Sequence, residues 1–322
     1  MSNPKVAAIL CVRMSSNRLP GKPMRIYHPD GKPNLGCIID RLLSSRHEPT
    51  IIIATSTDQS DEPIVQYVRK NYIAASTLGT EIGPIFLYRG SLGNVVERFN
   101  GALNRYAPDA THIWRVMGDC PLLDVSLNDW RTDVLHRTGA DSILVNSPEP
   151  TYAAMGSVWS RRAWDVCAKM SSGSLLEHPG ELIWQNQSDF KIIRDPGPDN
   201  IYYQPIRTEL DTEADLEFFR QVYSEYPKAT AQEWVDTNSR TTYAYEGDYT
   251  YNTKSVLTWL SSRPDIVKIN AHVEEKTHST YLHGHHRAKR FICKNCLSTI
   301  GWKFNDKLAL KCGTCGETRD YY

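Results

Sequence analysis

The chain has no excess of charge of either sign, because 37 Lys and Arg residues balance 37 Asp and Glu residues. Without net charge it has no overall field to attract nucleic acid or an anionic membrane, so any phosphate binding must come from local groups. It also lacks an apolar run approaching the roughly 20 residues that span a bilayer, and residues 1–5 lack the features of a signal peptide. We therefore expect a cytoplasmic protein with neither a membrane nor a nucleic-acid partner.

The cysteines do not form the pattern of a disulfide scaffold. Eight are present, and four of them stand singly among apolar neighbours, as reduced core thiols do. The other four form two paired motifs near the C-terminus: Cys293 and Cys296, then Cys312 and Cys315. This spacing predicts a zinc ribbon over residues 288–322, in which four thiolates close around a structural Zn²⁺. The alternative is four incidental cysteines.

The order of apolar segments predicts an α/β fold: a Rossmann-like, mostly parallel sheet with helices on both faces. Short β-branched runs alternate with segments of helical period from residue 6 to about 145. The length of 322 residues suggests more than one domain. We place a large domain at 1–240, a small extension and linker at 241–287, which includes a short strand at Val267–Val273, and the ribbon at 288–322.

The loop after the first predicted strand carries three cations. Arg13, Arg18 and Lys22 follow the apolar run Val6–Val12 directly. At the carboxyl edge of a sheet, such a loop presents backbone N–H groups and fixed charges to a phosphate chain. This favours a nucleoside triphosphate as ligand. An ordinary loop with solvated cations remains the alternative, because the run has neither P-loop nor GxGxxG spacing.

Two aspartates lie beside predicted elements, one after a strand and one before a helix. Asp119 lies in the turn Gly118 to Pro121 directly after a predicted strand, and Asp211 precedes a helix that begins with the capping box of Thr212 and Asp215. Two carboxylates beside a basic loop suggest a bridging Mg²⁺, which prefers one or two carboxylates plus phosphate oxygens. Each aspartate, taken singly, also fits a turn or cap residue.

Taken together, these motifs resemble the cytidylyltransferases, especially the spore coat polysaccharide biosynthesis group, with CMP-deoxyoctulosonate and acylneuraminate synthetases as more distant relatives. The resemblance runs over about residues 5–275. It rests on Cys11 to Lys22, Arg89-Gly90-Ser91, Val96 to Phe99, Gly118 to Leu122, Val145-Asn146, Glu177-His178, Asp211 to Leu216 and Trp259 to Ile266. It implies a glycosyltransferase-A-like nucleotidyltransferase that moves CMP from CTP to an acidic sugar, releases pyrophosphate and forms a homodimer.

The resemblance also implies roles for individual residues. Catalysis would depend on Arg13, Lys22 and the two metal-binding residues Asp119 and Asp211. Nucleotide contacts would come from Arg13, Met14, Ser15, Arg18, Lys22, Ala54, Thr55, Gly90, Ser91 and Arg98, and acceptor contacts from Asn146, Glu177 and His178. Three departures stand out: Ser15 replaces a loop glycine, Cys11 replaces a glutamine, and 155–159 lacks the usual acidic residues.

Two other functions stay open at the level of sequence. A sugar transferase of similar topology commonly carries an Asp-x-Asp metal motif, which Asp119-Cys-Pro does not provide. The other is a nucleic-acid-binding protein in which the zinc ribbon makes the main contacts and the large domain is a catalytically inert platform. The basic, histidine-rich stretch 283–290 fits solvated surface better than a stacking platform, because aromatic residues do not alternate with its charges. The ribbon also offers a surface for a protein partner.

Overall fold

The computed structural model describes residues 3–73, 85–145, 156–195, 206–227 and 253–273, together with four short strands nearer the C-terminus. The sequence-predicted site residues Asn146, Cys293, Cys296, Cys312 and Cys315 lie outside the described residues. Within the part described, no helix is long and apolar enough to cross a membrane.

The central element is a seven-stranded sheet in the order β3-β2-β1-β4-β6-β5-β7. Neighbours are parallel from β3 to β4 and between β5 and β7, whereas β6 runs antiparallel to both β4 and β5. The predicted mostly parallel α/β sheet is therefore confirmed. The strands are β1 Val6–Cys11, β2 Thr50–Ser56, β3 Ile85–Gly90, β4 His112–Met117, β5 Ser142–Val145, β6 Ser157–Ser160 and β7 Ile192–Asp195.

Helices cover both faces of the sheet, as the sequence pattern predicted. Their starts follow local capping chemistry: the side chain of Asp124 accepts a hydrogen bond from the backbone N–H of Leu127, and that of Ser160 from the N–H of Ala163. The helices are α1 Asn34–Leu42, α2 Glu62–Val68, α3 Val95–Tyr106, α4 Val125–Thr138, α5 Arg161–Met170, α6 Glu181–Gln185, α7 Glu213–Glu225, α8 Thr253–Ser261 and α9 Pro264–Val267.

Three apolar clusters hold these elements in place. One packs α1, α2 and α4 on one face of the sheet, and a second packs α3, α5 and α6 on the other. The third joins Leu19 of the basic loop to α7, α8 and α9. The third cluster matters most for function, because it fixes the loop and the start of α7 at the same edge of the sheet.

The predicted short strand at Val267–Val273 is wrong. Helix α9 ends at Val267 and turns follow, with the N–H of Ile269 bonded to the carbonyl of Ile266. Buried Ile266 anchors this region in the third cluster, so its apolar residues pack one side of a helical turn and do not extend a sheet. Residues 253–273, assigned above to an extension, thus pack against α7 of the large domain.

Near the C-terminus, two strand pairs lie outside the main sheet. β8 Lys289–Ile292 pairs antiparallel with β9 Thr299–Lys303, and β10 Leu308–Lys311 with β11 Thr318–Tyr321. In the sequence, Cys293 and Cys296 fall between the strands of the first pair, and Cys312 and Cys315 between those of the second.

Glycine at 180 is required by both backbone and packing. Its φ is 86°, and a Cβ placed there would lie 1.9 Å from Cζ2 of Trp159. Gly139 has a similar φ of 62° but open space around the Cβ position.

We predict that Gly139→Ala costs about 1–2 kcal/mol of unfolding free energy, because alanine is strained at positive φ. Gly180→Ala should cost about 1–3 kcal/mol more than that, because its Cβ also overpacks against Trp159. Urea denaturation of both variants tests this, and equal losses would contradict the packing argument.

Candidate active site

The basic loop closes on itself between β1 and a 3₁₀ turn at Lys22–Met24. The N–H of Gly21 bonds to the carbonyl of Met14 at 3.0 Å, and Gly21 adopts φ 69°, which glycine tolerates without strain. Leu19 is fully buried and anchors the loop. Arg13 and Ser15 remain exposed on its outer side. The loop is therefore a fixed platform that presents charges to solvent.

Asp61 ties this loop to the end of β2, and sequence reasoning missed that role. Its fully buried carboxylate accepts hydrogen bonds from the backbone N–H of Met14 at 2.6 Å and of Ser56 at 3.0 Å. The hydroxyls of Thr55 and Ser56 donate to the same carboxylate. Asp61 directly precedes α2, where a carboxylate suits the helix macrodipole whatever its other contacts. Nothing local in the sequence indicates its contact with Met14.

Lys22 lies between the two aspartates named from the sequence. Its Nζ forms an ion pair with Asp211 and lies 3.6 Å from Oδ2 of Asp119. Arg18 also forms an ion pair with Asp211. The side chains of Asp119 and Asp211 are 27% and 12% exposed, so both keep some contact with solvent. The structure thus brings Arg18, Lys22, Asp119 and Asp211 together.

Backbone contacts explain why two aspartates far apart in sequence meet. The N–H of Leu210 bonds to the carbonyl of Asp119 at 2.9 Å, which joins the turn after β4 to the segment before α7. The capping box predicted at Thr212 and Asp215 is confirmed. Asp215 also accepts a hydrogen bond from the N–H of Asp211 at 2.9 Å. The start of α7 therefore sets the position of Asp211.

A buried ion pair supports that helix start. The guanidinium of Arg207 forms two hydrogen bonds with Asp215, at 2.8 and 3.1 Å, and both side chains are 1% exposed or less. Asn270 donates to Asp215 at 3.0 Å, and Arg207 also contacts Glu209 at 3.2 Å. Because the two charges satisfy each other with several hydrogen bonds, their desolvation is compensated.

Cations hold Asp211 in its charged form. Burial by itself raises the pKa of this carboxyl, but Lys22, Arg18 and Arg207 together outweigh burial, and the pKa lies below its usual value. Asp211 is therefore ionised throughout the neutral pH range. Burial and the charge of the adjacent Asp119 raise the pKa of Cys120 well above its ordinary value. Cys120 therefore stays a neutral thiol.

The residues named for the base and ribose line the ends of β2 and β3. Ala54 and Thr55 are fully buried, and the Thr55 hydroxyl donates to Asp61, so these two side chains face the protein interior. Gly90 ends β3, and a Cβ there would lie 3.0 Å from Cγ of Arg98. Buried Arg98 donates to the Ser91 carbonyl at 2.8 Å. The Arg98 side chain thus ties the loop after β3 to helix α3.

Two of the residues named for the acceptor lie on the α3 and α5 face of the sheet. Exposed Glu177 ends a 3₁₀ turn at Gly173–Glu177, and the partly buried His178 follows it. Leu175 and Leu176 of this turn pack into the second apolar cluster. The turn is thereby held against α3, on the same side of the sheet as the Arg98 side chain.

A metal at this edge would have to use few protein ligands. Across the described ranges, no group of three or more His, Cys, Asp or Glu side chains could hold an ion. Asp119 and Asp211 are two carboxylates that approach one Nζ atom, and this donor set fits Mg²⁺ when phosphate oxygens complete its shell.

Comparison with known proteins agrees with this geometry. Residues 7–139 match the family model described as cytidylyltransferase. The chain is 23% identical over 281 residues to an uncharacterized protein of Methanocaldococcus jannaschii, covering 85% of this chain and 98% of that protein. It is also 23% identical over 255 residues to the spore coat polysaccharide biosynthesis protein SpsF of Bacillus subtilis, covering 72% and 93%.

A solved structure shares the fold over most of the chain. It is a cytidylyltransferase from Leptospira borgpetersenii, with a TM-score of 0.63 and 19% identity, covering 85% of this chain and 100% of that one. Because this match covers 85% of the chain, the similarity in fold extends past residues 7–139 of the family match.

We predict that the buried pair of Arg207 and Asp215 contributes far more to the free energy of unfolding than the partly exposed carboxylate of Glu209 does. Asp215→Asn leaves the Arg207 charge buried without its partner, which should cost roughly 3–5 kcal/mol of unfolding free energy. Glu209→Gln removes a carboxylate that is 29% exposed and bonds to the same guanidinium, and should cost about 0–1 kcal/mol. Urea denaturation measures both, and similar losses would refute the role given to Asp215.

Proposed function

We infer that the chain is a CTP-dependent nucleotidyltransferase, because residues 7–139 match the family model described as cytidylyltransferase and contain both the basic loop and Asp119. We propose that it transfers CMP from CTP to an acidic sugar or a related precursor of a surface polysaccharide and releases pyrophosphate. The similarity to SpsF, named for spore coat polysaccharide biosynthesis, supports this acceptor class.

The observation that carries the proposal is the position of Lys22 between Asp119 and Asp211. Without ligand, Asp211 is the counter-ion of both Arg18 and Lys22. A triphosphate offers these cations more negative charge than one carboxylate does, and charge-assisted bonds to phosphate are strong. We propose that the nucleotide takes over Arg18 and Lys22, which leaves the Asp211 carboxylate free.

Freed in this way, Asp211 together with Asp119 would hold Mg²⁺. The ion supplies charge neutralisation on the phosphates when bound. The family implies this cofactor, and the two partly exposed carboxylates support it. Exposed Arg13 has no ion pair among the described residues and would face the outer phosphates.

The chain's own part in the reaction is positioning and charge stabilisation. An acceptor oxygen attacks the α-phosphorus, the bond from that phosphorus to the bridging oxygen of the β-phosphate breaks, and pyrophosphate leaves with the electron pair. Lys22, Arg18 and Arg13 stabilise the negative charge that grows on pyrophosphate. Because Leu19 and Asp61 fix the loop, these cations need little reorganisation during the step.

We predict that CTP with Mg²⁺ raises the melting temperature more than ATP, GTP or UTP does, because a ligand selective for the native state stabilises it by mass action.

We also predict that Asp119→Asn and Asp211→Asn each lower pyrophosphate release, measured with a panel of acidic sugars, by about 10²-fold or more. Glu213→Gln is the matched control, since this exposed carboxylate near Asp211 pairs with Arg25 outside the site.

Three results would contradict the proposal. An equal response to all four nucleotides would remove cytosine specificity. Full turnover in Asp119→Asn would remove the role of that carboxylate. Release of a nucleoside diphosphate in place of pyrophosphate would identify a sugar transferase.

For the C-terminal segment we propose a structural Zn²⁺ bound by Cys293, Cys296, Cys312 and Cys315. The paired spacing in the sequence supports it, as does the placement of each pair between two antiparallel strands in chain order. Four thiolates leave no open position, so the ion would stabilise the segment without catalysing.

We predict one zinc per chain by elemental analysis of the purified protein. Cys296→Ser and Cys312→Ser should each lose most of it, because a closed site needs all four ligands. Cys167→Ala is the control, since this buried thiol lies in α5 within the second apolar cluster. Zinc that persists in both serine variants would refute the site.

A further inference from the structure

The partly buried Arg115 on β4 has no counter-ion among the residues that the structure describes. Among the described residues, the guanidinium of Arg115 forms no hydrogen bond and no ion pair. Removing a charge from water without pairing it is costly, so proteins rarely retain such a group unless something else compensates it. Among the residues that the structure describes, Arg115 therefore has no partner, and an anion from a bound ligand would supply one.

Around Arg115, the described residues supply further hydrogen-bond donors but no carboxylate that pairs with it. Arg115 pairs with Ser157 of β6 in antiparallel register, so their side chains share one face of the sheet. On that face, charge from Arg98 and Arg115 acts on Cys11, yet burial dominates and raises the pKa of this thiol. Cys11 thus stays neutral and cannot serve as their counter-ion. The Nε of Arg98 is also buried without a partner in the described part of the chain.

The strand order separates Arg115 and Ser157 from Thr55 and Gly90, two of the residues predicted to bind the nucleotide. Thr55 and Gly90 end β2 and β3, on one side of β1, whereas Arg115 and Ser157 lie on β4 and β6, on the other side. The basic loop leaves β1 between them. A nucleotide held by the loop and by the ends of β2 and β3 would leave the β4 and β6 side for the second substrate.

Distance and neighbours agree with that division. Arg115 precedes Asp119 by four residues, which is at most roughly 13 Å of extended chain. This gap suits a monosaccharide together with the reach of the arginine side chain. Charge from Arg115 also acts on the Cys167 thiol, which lies beside the backbone N–H groups of Gly180 and Leu182. Arg115 is thus close to the segment that follows Glu177 and His178.

We propose that Arg115 and Ser157 form the subsite that holds the anionic group, a carboxylate or a phosphate, of the acceptor. This inference rests on the proposed function, and it names the residues that select an acidic acceptor. An anion there supplies the missing counter-ion of Arg115, and the Ser157 hydroxyl donates a hydrogen bond to it. A neutral sugar would leave the guanidinium unpaired and so would bind more weakly.

The test uses thermal melting of the full chain with saturating CTP and Mg²⁺, so that the basic loop is already occupied. Pyruvate and inorganic phosphate are then titrated separately as the carboxylate and phosphate probes, against sodium chloride at equal ionic strength. The variants are Arg115→Gln, Arg115→Lys and, as control, Arg105→Gln, which removes an exposed arginine of α3.

We expect at least one probe to raise the melting temperature of the wild type and of Arg105→Gln. Arg115→Gln should lose that shift while keeping the full shift caused by CTP, and Arg115→Lys should keep only part of the anion shift. A response to pyruvate alone assigns a carboxylate, and a response to phosphate alone assigns a phosphate group.

The proposal is overturned if neither probe shifts the wild type, or if Arg115→Gln responds as the wild type does. Should Arg115→Gln fail to fold, a wild-type anion response in Arg115→Lys overturns it, because lysine keeps the charge but lacks the planar fork. Absence of a CTP shift in every chain is a failure of the proposed function. Titration of the probes without nucleotide then decides the role of Arg115 by the same comparison.

Discussion

The pairing of Asp211 with Arg18 and Lys22 is the interaction on which this site depends. It joins the first loop of the chain to the start of α7, which are nearly 190 residues apart. It compensates a cluster of cations that would otherwise repel one another. In the function proposed above, a triphosphate would take the place of the Asp211 carboxylate beside these cations.

That pairing is possible only because buried groups fix both partners. On one side, Asp61 holds the backbone of Met14 and Leu19 anchors the loop. On the other, Asp215 caps α7 and pairs with Arg207. These groups are buried beneath the charged side chains and shielded from water. Ion pairs and hydrogen bonds are strongest in such an interior, because its dielectric constant is low. Rigid support of this kind is what electrostatic catalysis requires, because preorganised charges do not have to move during the reaction.

Much of the fold could be predicted from local pattern. Strands β1 and β2 contain continuous apolar runs, and the α7 start carries its capping box in four residues. The short strand expected at Val267–Val273 failed because an apolar run that packs against α7 looks the same in sequence as one that extends a sheet. The role of Asp61 was missed because its contact with Met14, 47 residues away, is not a property of neighbouring residues.

The sequence alone determined the alternation of strands and helices, the basic loop after β1, the turn with Asp119 and the cysteine spacing, since each depends on residues close together in the chain. Tertiary structure decided that Asp211 meets Lys22, that Asp61 binds the N–H of Met14, and that Arg115 has no partner among the described residues. These follow from strand order and from the backbone bond between Leu210 and Asp119. Such contacts join segments distant along the chain, and no local preference specifies them.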